Sequence, residues 1–209
     1  MLLNIIMQGF YYIENYLSND EAVAILSFLE NDEKAKWEPV GSSANSREVI
    51  QYGYSYAYNR SGTEKLENIP EILSSPISLD RLENLLKEDS KKLKVNSCIV
   101  NKYKPGQGIA AHVDHPKQFG EAIICLSLGS DIMIDFKKRC PGEPGQPRSD
   151  KKKSDGKEAE VISKIVKANS LYIMTGESRY EYTHSIAPRK SDKGKKRSER
   201  ISLTYRWVL

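Results

Sequence analysis

The hydrophobic pattern of the chain changes character near residue 95. Before that point two stretches repeat at the helical period. Ser18-Asn19-Asp20-Glu21 spells a capping box, and apolar residues follow at 22, 23, 25, 26, 28 and 29, which predicts a helix over 18–31. Leucines at 79, 82, 85, 86 and 93 predict a second helix over 79–93. Between them, residues 47–58 alternate, with Tyr52, Tyr54, Tyr56 and Tyr58 on one face of an expected strand. A loop carrying Pro70 and Pro76 is expected next. The apolar run 1–17 reads as a first strand. It is too interrupted for a membrane span and lacks the basic head and small-residue cleavage site of a leader. After Val95, seven short β-rich runs follow with no helical pattern between them: SCIVNKY, AIICLSLG, DIMIDF, AEVISKIV, SLYIMTG, YEYTHSI and RISLTYRWVL. The turn sequences KPGQG, LGSD and TGES punctuate them, so a sandwich or barrel is expected, and the fold class is α+β, mainly β.

A chain of 209 residues fits a single domain, read as an N-terminal helical and lid region over 1–94 packing on a β core over 95–209. Three scattered cysteines with no Cys-x-x-Cys exclude a disulfide scaffold and a zinc ribbon, and suggest a reducing compartment. The net charge of +4 hides two segments of +5 each, residues 137–157 and 189–200. Concentrated basic segments suit a phosphate backbone, although solvated loops have the same composition. The first of them is rich in Pro, Gly and Lys and reads as a long loop. KGKKR in the second is a faint nuclear-targeting pattern, so the expected location is the cytoplasm or the nucleus.

Only three histidines are present, so a transition-metal site would need nearly all of them. His112-Val113-Asp114 puts two ligand types at i and i+2, which share a face on a strand. His184 stands 72 residues further on, in an aromatic β run. Two His and one carboxylate form the facial triad of non-haem Fe(II) oxygenases, whose open positions take a co-substrate and dioxygen. A His-x-Asp alone is not specific, and its plain reading is a surface His beside a turn. His115 would face away from the pair and reads as a bystander.

The flanking residues are more telling. Asn101-Lys-Tyr103-Lys-Pro-Gly, followed by His112 and Asp114, resembles the AlkB-type family of Fe(II)- and 2-oxoglutarate-dependent dioxygenases. The runs LSLGSDIMIDF, SLYIMTGESRYEYTHSI and Arg200-Ile-Ser-Leu-Thr-Tyr-Arg206 resemble that family's later strands, and in texture its tRNA wobble-uridine hydroxylase branch. The resemblance implies a double-stranded β-helix (jelly roll) with N-terminal helices and a nucleotide-recognition lid. It implies Fe(II) on His112, Asp114 and His184, and 2-oxoglutarate and O2 as co-substrates. Arg200 and Tyr103 would hold the distal carboxylate of 2-oxoglutarate, with Asn101 and Arg206 near its chelating end. Arg47, Tyr54, Tyr56 and Arg179 would face the substrate, a base in RNA or alkylated DNA, and the protein would act as a monomer away from membranes. Pro116 and Ser202 replace an acidic residue and an Asn of the family's repair members, so dealkylation and hydroxylation both stay open. A non-catalytic RNA-binding module on the same fold and a protein or small-molecule hydroxylase are the alternatives.

Overall fold

The computed structural model describes residues 6–32, 35–43, 46–56, 63–86, 93–139 and 161–209. Its first half runs β1 (Phe10–Ile13), α1 (Asn19–Asn31), β2 (Glu38–Pro39), β3 (Glu48–Tyr52), α2 (Glu71–Ser74), a 3₁₀ turn (Ser75–Ile77) and α3 (Leu79–Leu86). The second half runs β4 (Ser97–Tyr103), β5 (Ile109–His112), β6 (Ile123–Gly129), β7 (Ile132–Lys138), β8 (Val161–Val166), β9 (Ser170–Met174), α4 (Gly176–Tyr180), β10 (Tyr182–Ile186), β11 (Ser191–Asp192), β12 (Lys195–Lys196) and β13 (Arg200–Arg206).

The strands form a seven-stranded sheet in the order β1-β9-β6-β13-β4-β3-β2 and a four-stranded sheet in the order β5-β10-β7-β8. Every described pairing is antiparallel, and the two sheets make the expected jelly roll. The N-terminal region does more than pack on this core: β1 and β3 are members of the large sheet, paired with β9 and β4. The period of two sorts the core into two layers. On β13, Ile201, Leu203 and Tyr205 join Ile25, Leu73 and Leu82 of the helices behind the large sheet. Arg200, Ser202, Thr204 and Arg206 point the other way, into a cavity between the sheets. Each fully buried Leu or Ile in the helix-side layer stabilises the fold by roughly 1.5–3 kcal/mol.

The capping box forms in both directions. Glu21 N–H donates to Ser18 Oγ at 3.2 Å and Ser18 N–H donates to Glu21 Oε2 at 2.8 Å. Other expectations need correction. The predicted loop around Pro70 and Pro76 contains α2 and the 3₁₀ turn. Pro70 caps the first and Pro76 stands in the opening turn of the second, where a missing N–H costs nothing. The predicted strand 47–58 stops at Tyr52. Gly53 has φ +79°, and a Cβ there would sit 1.9 Å from Asn96 O, so the backbone turns away. The four tyrosines therefore do not share a face. Tyr52 enters the helix-side layer with its hydroxyl 3.4 Å from Asp32 Oδ2, and Tyr54 and Tyr56 lie against the cavity-side layer. Tyr58 lies outside the described residues, as do 87–92 of the second predicted helix and 140–157 of the predicted loop. A short helix, α4, replaces the turn read at TGES.

Candidate metal centre and its cavity

The register of the small sheet brings the two separated histidines together. On β10, His184 stands opposite His112 of β5, and a bulge follows before Ile186 pairs with Ile109. The rings are 4.3 Å apart between centroids. Asp114 departs from the sequence expectation: β5 ends at His112, so Asp114 reaches the site from two residues past the strand. His184 Nε2 lies 3.6 Å from Asp114 Oδ2, and one ligand atom from each of His112, Asp114 and His184 lies within 4.8 Å of the others.

The protonation states suit a cation. His112 Nδ1 is 2.8 Å from Ala110 O. A carbonyl only accepts, so Nδ1 is the donor and Nε2 is the nitrogen left for a metal. Burial pushes His184 down to about 3, and the neighbouring His112 adds to the shift, so this imidazole is neutral through the physiological range. Burial would push the Asp114 carboxyl up. The Arg206 guanidinium outweighs it, helped by His184, His112 and Arg179, and holds the group well below the usual carboxylate range. Arg206 sends both Nε, at 2.8 Å, and Nη2, at 2.6 Å, to the same oxygen, Oδ1. The other oxygen, Oδ2, is buried with no hydrogen-bond partner and faces the histidines. An ionised, unpartnered oxygen beside the neutral His184 ring and the His112 imidazole fits a divalent metal such as Fe(II).

The cavity beside these residues measures about 410 Å³. Arg200 lies on its wall, 1% exposed. Its Nε donates to Ser127 Oγ at 2.9 Å, and its Nη2 has no partner. Tyr103 lies between two guanidiniums, with Arg200 Cζ 5.4 Å and Arg47 Cζ 6.0 Å from its ring centre. Arg47 Nε donates to Asn101 Oδ1 at 3.0 Å. A buried, under-satisfied cation in the cavity wall fits the carboxylate of 2-oxoglutarate.

Among the expected substrate residues, Arg47 and Tyr56 line the cavity and Tyr54 does not. Tyr56 meets Phe119 in the cavity wall, with ring centres 5.4 Å apart. Gln51, a residue the sequence does not flag, pins it there: Tyr56 N–H donates to Gln51 Oε1 at 2.5 Å. Arg206 lines the cavity but is engaged by Asp114 of the candidate triad. Arg179 is the clearest departure. It is buried on α4, off the cavity wall, and binds a main-chain oxygen. His115 lines the cavity yet lies outside the ligand cluster. Cys125 also stands in the wall. Burial pushes its thiol up, and it donates to Thr204 Oγ1 at 3.7 Å.

The basic segment 189–200 is partly internal. Asp192 accepts from Arg197 Nε at 2.7 Å, Arg197 Nη2 at 2.8 Å and Arg189 Nε at 2.7 Å, and Asp131 pairs with Lys195 at 2.9 Å. Exposed Lys190, Lys193 and Lys196 remain on the outside of the β11–β12 hairpin. The segment leading into this hairpin packs on the one before β5, with Gly108 directly on Ile186 O and Gly106 under the Lys190 side chain. Among the described residues, no helix is long and apolar enough to cross a membrane.

Comparison with known proteins agrees with the site. The sequence model of the 2OG-Fe(II) oxygenase superfamily matches residues 9–206. The chain is 33% identical over 196 residues to the tRNA (carboxymethyluridine(34)-5-O)-methyltransferase ALKBH8 of Mus musculus, an alignment covering 92% of this chain and 26% of the relative. It thus spans about a quarter of that protein's length. It is 32% identical over 208 residues to the uncharacterized protein L905 of Acanthamoeba polyphaga mimivirus, covering 97% and 86% of the two chains. The solved structure of OsALKBH1 superposes with a TM-score of 0.68 at 16% identity, covering 98% of this chain and 99% of that one.

Proposed function

The chain belongs to the 2OG-Fe(II) oxygenase superfamily as an AlkB-type dioxygenase, and on that premise we propose that it oxidises a modified base in RNA or alkylated DNA. The observation that carries the chemistry is the unpartnered Asp114 Oδ2 facing His112 and His184. In this reading those three residues hold Fe(II), which with 2-oxoglutarate and O2 supplies the power to hydroxylate a C–H bond. The protein does the rest. His112 is oriented by its Nδ1 bond to Ala110 O, His184 presents a neutral ring, and Arg206 fixes the outer oxygen of Asp114. Arg200, steadied by Ser127, holds the distal carboxylate of 2-oxoglutarate. Ile99, Ile123 and Ile134 line the cavity and keep water from the reacting carbon.

Three features support a nucleic-acid substrate. The mouse relative is named for a tRNA. Tyr56 and Phe119 form an aromatic corner of the cavity wall against which a base can stack. Lys190, Lys193 and Lys196 give a cationic rim for phosphates. Methyl transfer is said of the mouse protein alone. If the oxidised carbon is an N-linked methyl, the product releases formaldehyde. A carbon-linked methylene instead leaves a stable alcohol.

The test is mass spectrometry of nucleosides from tRNA and from alkylated oligonucleotides incubated with Fe(II), 2-oxoglutarate and protein. The expected result is succinate formed in step with a base that gains an oxygen or loses a methyl. Succinate formed at the same low rate with and without every nucleic acid would overturn the nucleic-acid reading. It would favour a protein or small-molecule substrate.

A further inference from the structure

Arg179 has no place in the substrate reading, yet it is among the largest fully buried side chains, at 2% exposure. Its Nη1 donates to the carbonyl oxygen of Asp114 at 2.7 Å. Its Nε and Nη2 are buried with no hydrogen-bond partner among the described residues. Among the described residues, the ring beneath it is Tyr180, whose centre is 4.9 Å from the guanidinium carbon. Burying a cation on so few partners is costly, and a position serving packing alone is better filled by an apolar side chain. The feature that accounts for a cation here is the Asp114 carboxylate, whose attraction partly offsets the burial.

We propose that Arg179 is a positioning residue for the metal centre. Resting on the reading that His112, Asp114 and His184 bind metal, it fixes the main chain of Asp114 so that Oδ2 faces the two histidines. Asp114 needs such a restraint because it lies two residues beyond the end of β5, outside the strand ladder. Arg206 restrains only the side chain, through Oδ1. Between them the two guanidiniums hold the residue by its carbonyl and by its carboxylate.

The restraint reaches back to the N-terminal segment. Helix α4, which carries Arg179, has only five residues and leans on Gln8 and Gly9. Ser178 Oγ donates to Gly9 O at 2.8 Å, Ser178 N–H to Gln8 O at 3.1 Å and Thr175 N–H to Gly9 O at 2.8 Å. Gly9 has φ +76°, and a Cβ there would fall 2.1 Å from Thr175 O, so only glycine lets the two segments approach this closely. A chain of contacts thus runs from residues 8 and 9 through α4 and Arg179 to a metal ligand.

The experiment titrates the metal-free protein with Co(II), a spectroscopic substitute for Fe(II), and records affinity, the visible absorption of the bound ion and the melting temperature before metal is added. Arg179→Met is expected to weaken Co(II) binding by about 10- to 100-fold and to alter the absorption, as loss of an outer partner of a metal ligand does. Its metal-free melting temperature should stay within a few degrees of wild type. Arg179→Lys should recover part of the affinity, and Ser178→Ala should lose less than Arg179→Met. An unchanged affinity and spectrum in Arg179→Met would overturn the proposal. So would an affinity loss that follows a fall in metal-free melting temperature and is not recovered by Arg179→Lys. Should Arg179→Met fail to fold, a wild-type Co(II) spectrum in Arg179→Lys together with Ser178→Ala would overturn it equally. Wild-type protein that binds no Co(II) would overturn the metal reading as well, a result no Arg179 variant can produce.

Discussion

The two faces of β13 are built from the same seven residues and do opposite things. Ile201, Leu203 and Tyr205 face the helices in a largely apolar layer, where the Tyr205 hydroxyl is satisfied by donating to Leu73 O at 2.5 Å. Arg200, Ser202, Thr204 and Arg206 face the cavity, where two guanidiniums are buried. The first face stabilises the fold, and the second holds charges that destabilise it unless a ligand or a ligand-bearing carboxylate meets them. The β11–β12 hairpin repeats the division on a small scale. Asp192 and Arg197 lie inside, while Lys190, Lys193 and Lys196 lie outside. Stability and function thus separate by face within single strands.

That division can be broken from either side. The largest effect is expected from Asp114→Ala, which should abolish metal-dependent 2-oxoglutarate turnover, measured as succinate, and lower the melting temperature as well, since Arg206 is left buried without its carboxylate. Wild-type turnover would mean that the site is misassigned. On the opposite face, Leu203→Ala should cost about 2–5 kcal/mol in chemical denaturation and leave the 2-oxoglutarate requirement of the folded fraction unchanged. A shifted requirement would show that the faces are coupled. Arg200→Ala should raise the KM for 2-oxoglutarate by roughly 30-fold or more, a loss of at least 2 kcal/mol, with a much smaller change in metal affinity.

The hairpin gives the finer tests. Asp192 is held down to about 2 despite its burial, by Arg197 and Arg189. Its folded value lies below its unfolded one, so its contribution is present above the ordinary carboxylate pKa near 4 and is lost as pH falls through about 2. The size is roughly 2 kcal/mol. Urea midpoints between pH 5 and pH 2 should therefore fall more steeply for wild type than for Asp192→Asn. Parallel curves would remove Asp192 from the account. Smallest is the triple change Lys190→Ala, Lys193→Ala and Lys196→Ala. It should lower the slope of log affinity against log salt for RNA by about 2–3 and leave succinate formation without nucleic acid untouched.

Much of this was readable in the chain because it rests on period. Alternation along 200–206 puts the arginines on one face, and the His-x-Asp spacing with a distant His is a short-range pattern. What escaped depends on partners far apart in sequence or on main-chain atoms. Nothing around Arg179 announces that its acceptor is the carbonyl of Asp114, 65 residues away. Gln51 holds Tyr56 through backbone atoms, which leave no trace in side-chain type. The tyrosine face carried its own warning, a glycine at position 53 inside an alternating run. The basic run 189–200 likewise contained Asp192, the residue that turns two of its cations inward.

Cys125 forms part of the cavity wall, yet it is a thiol and no thiolate at neutral pH, since burial raises its pKa and its hydrogen is directed at Thr204. Cys98, buried behind the large sheet, is equally quiet. Thiol-directed reagents should leave both residues unlabelled until the protein unfolds, so alkylation of Cys98 and Cys125 becomes a clock for opening of the two layers.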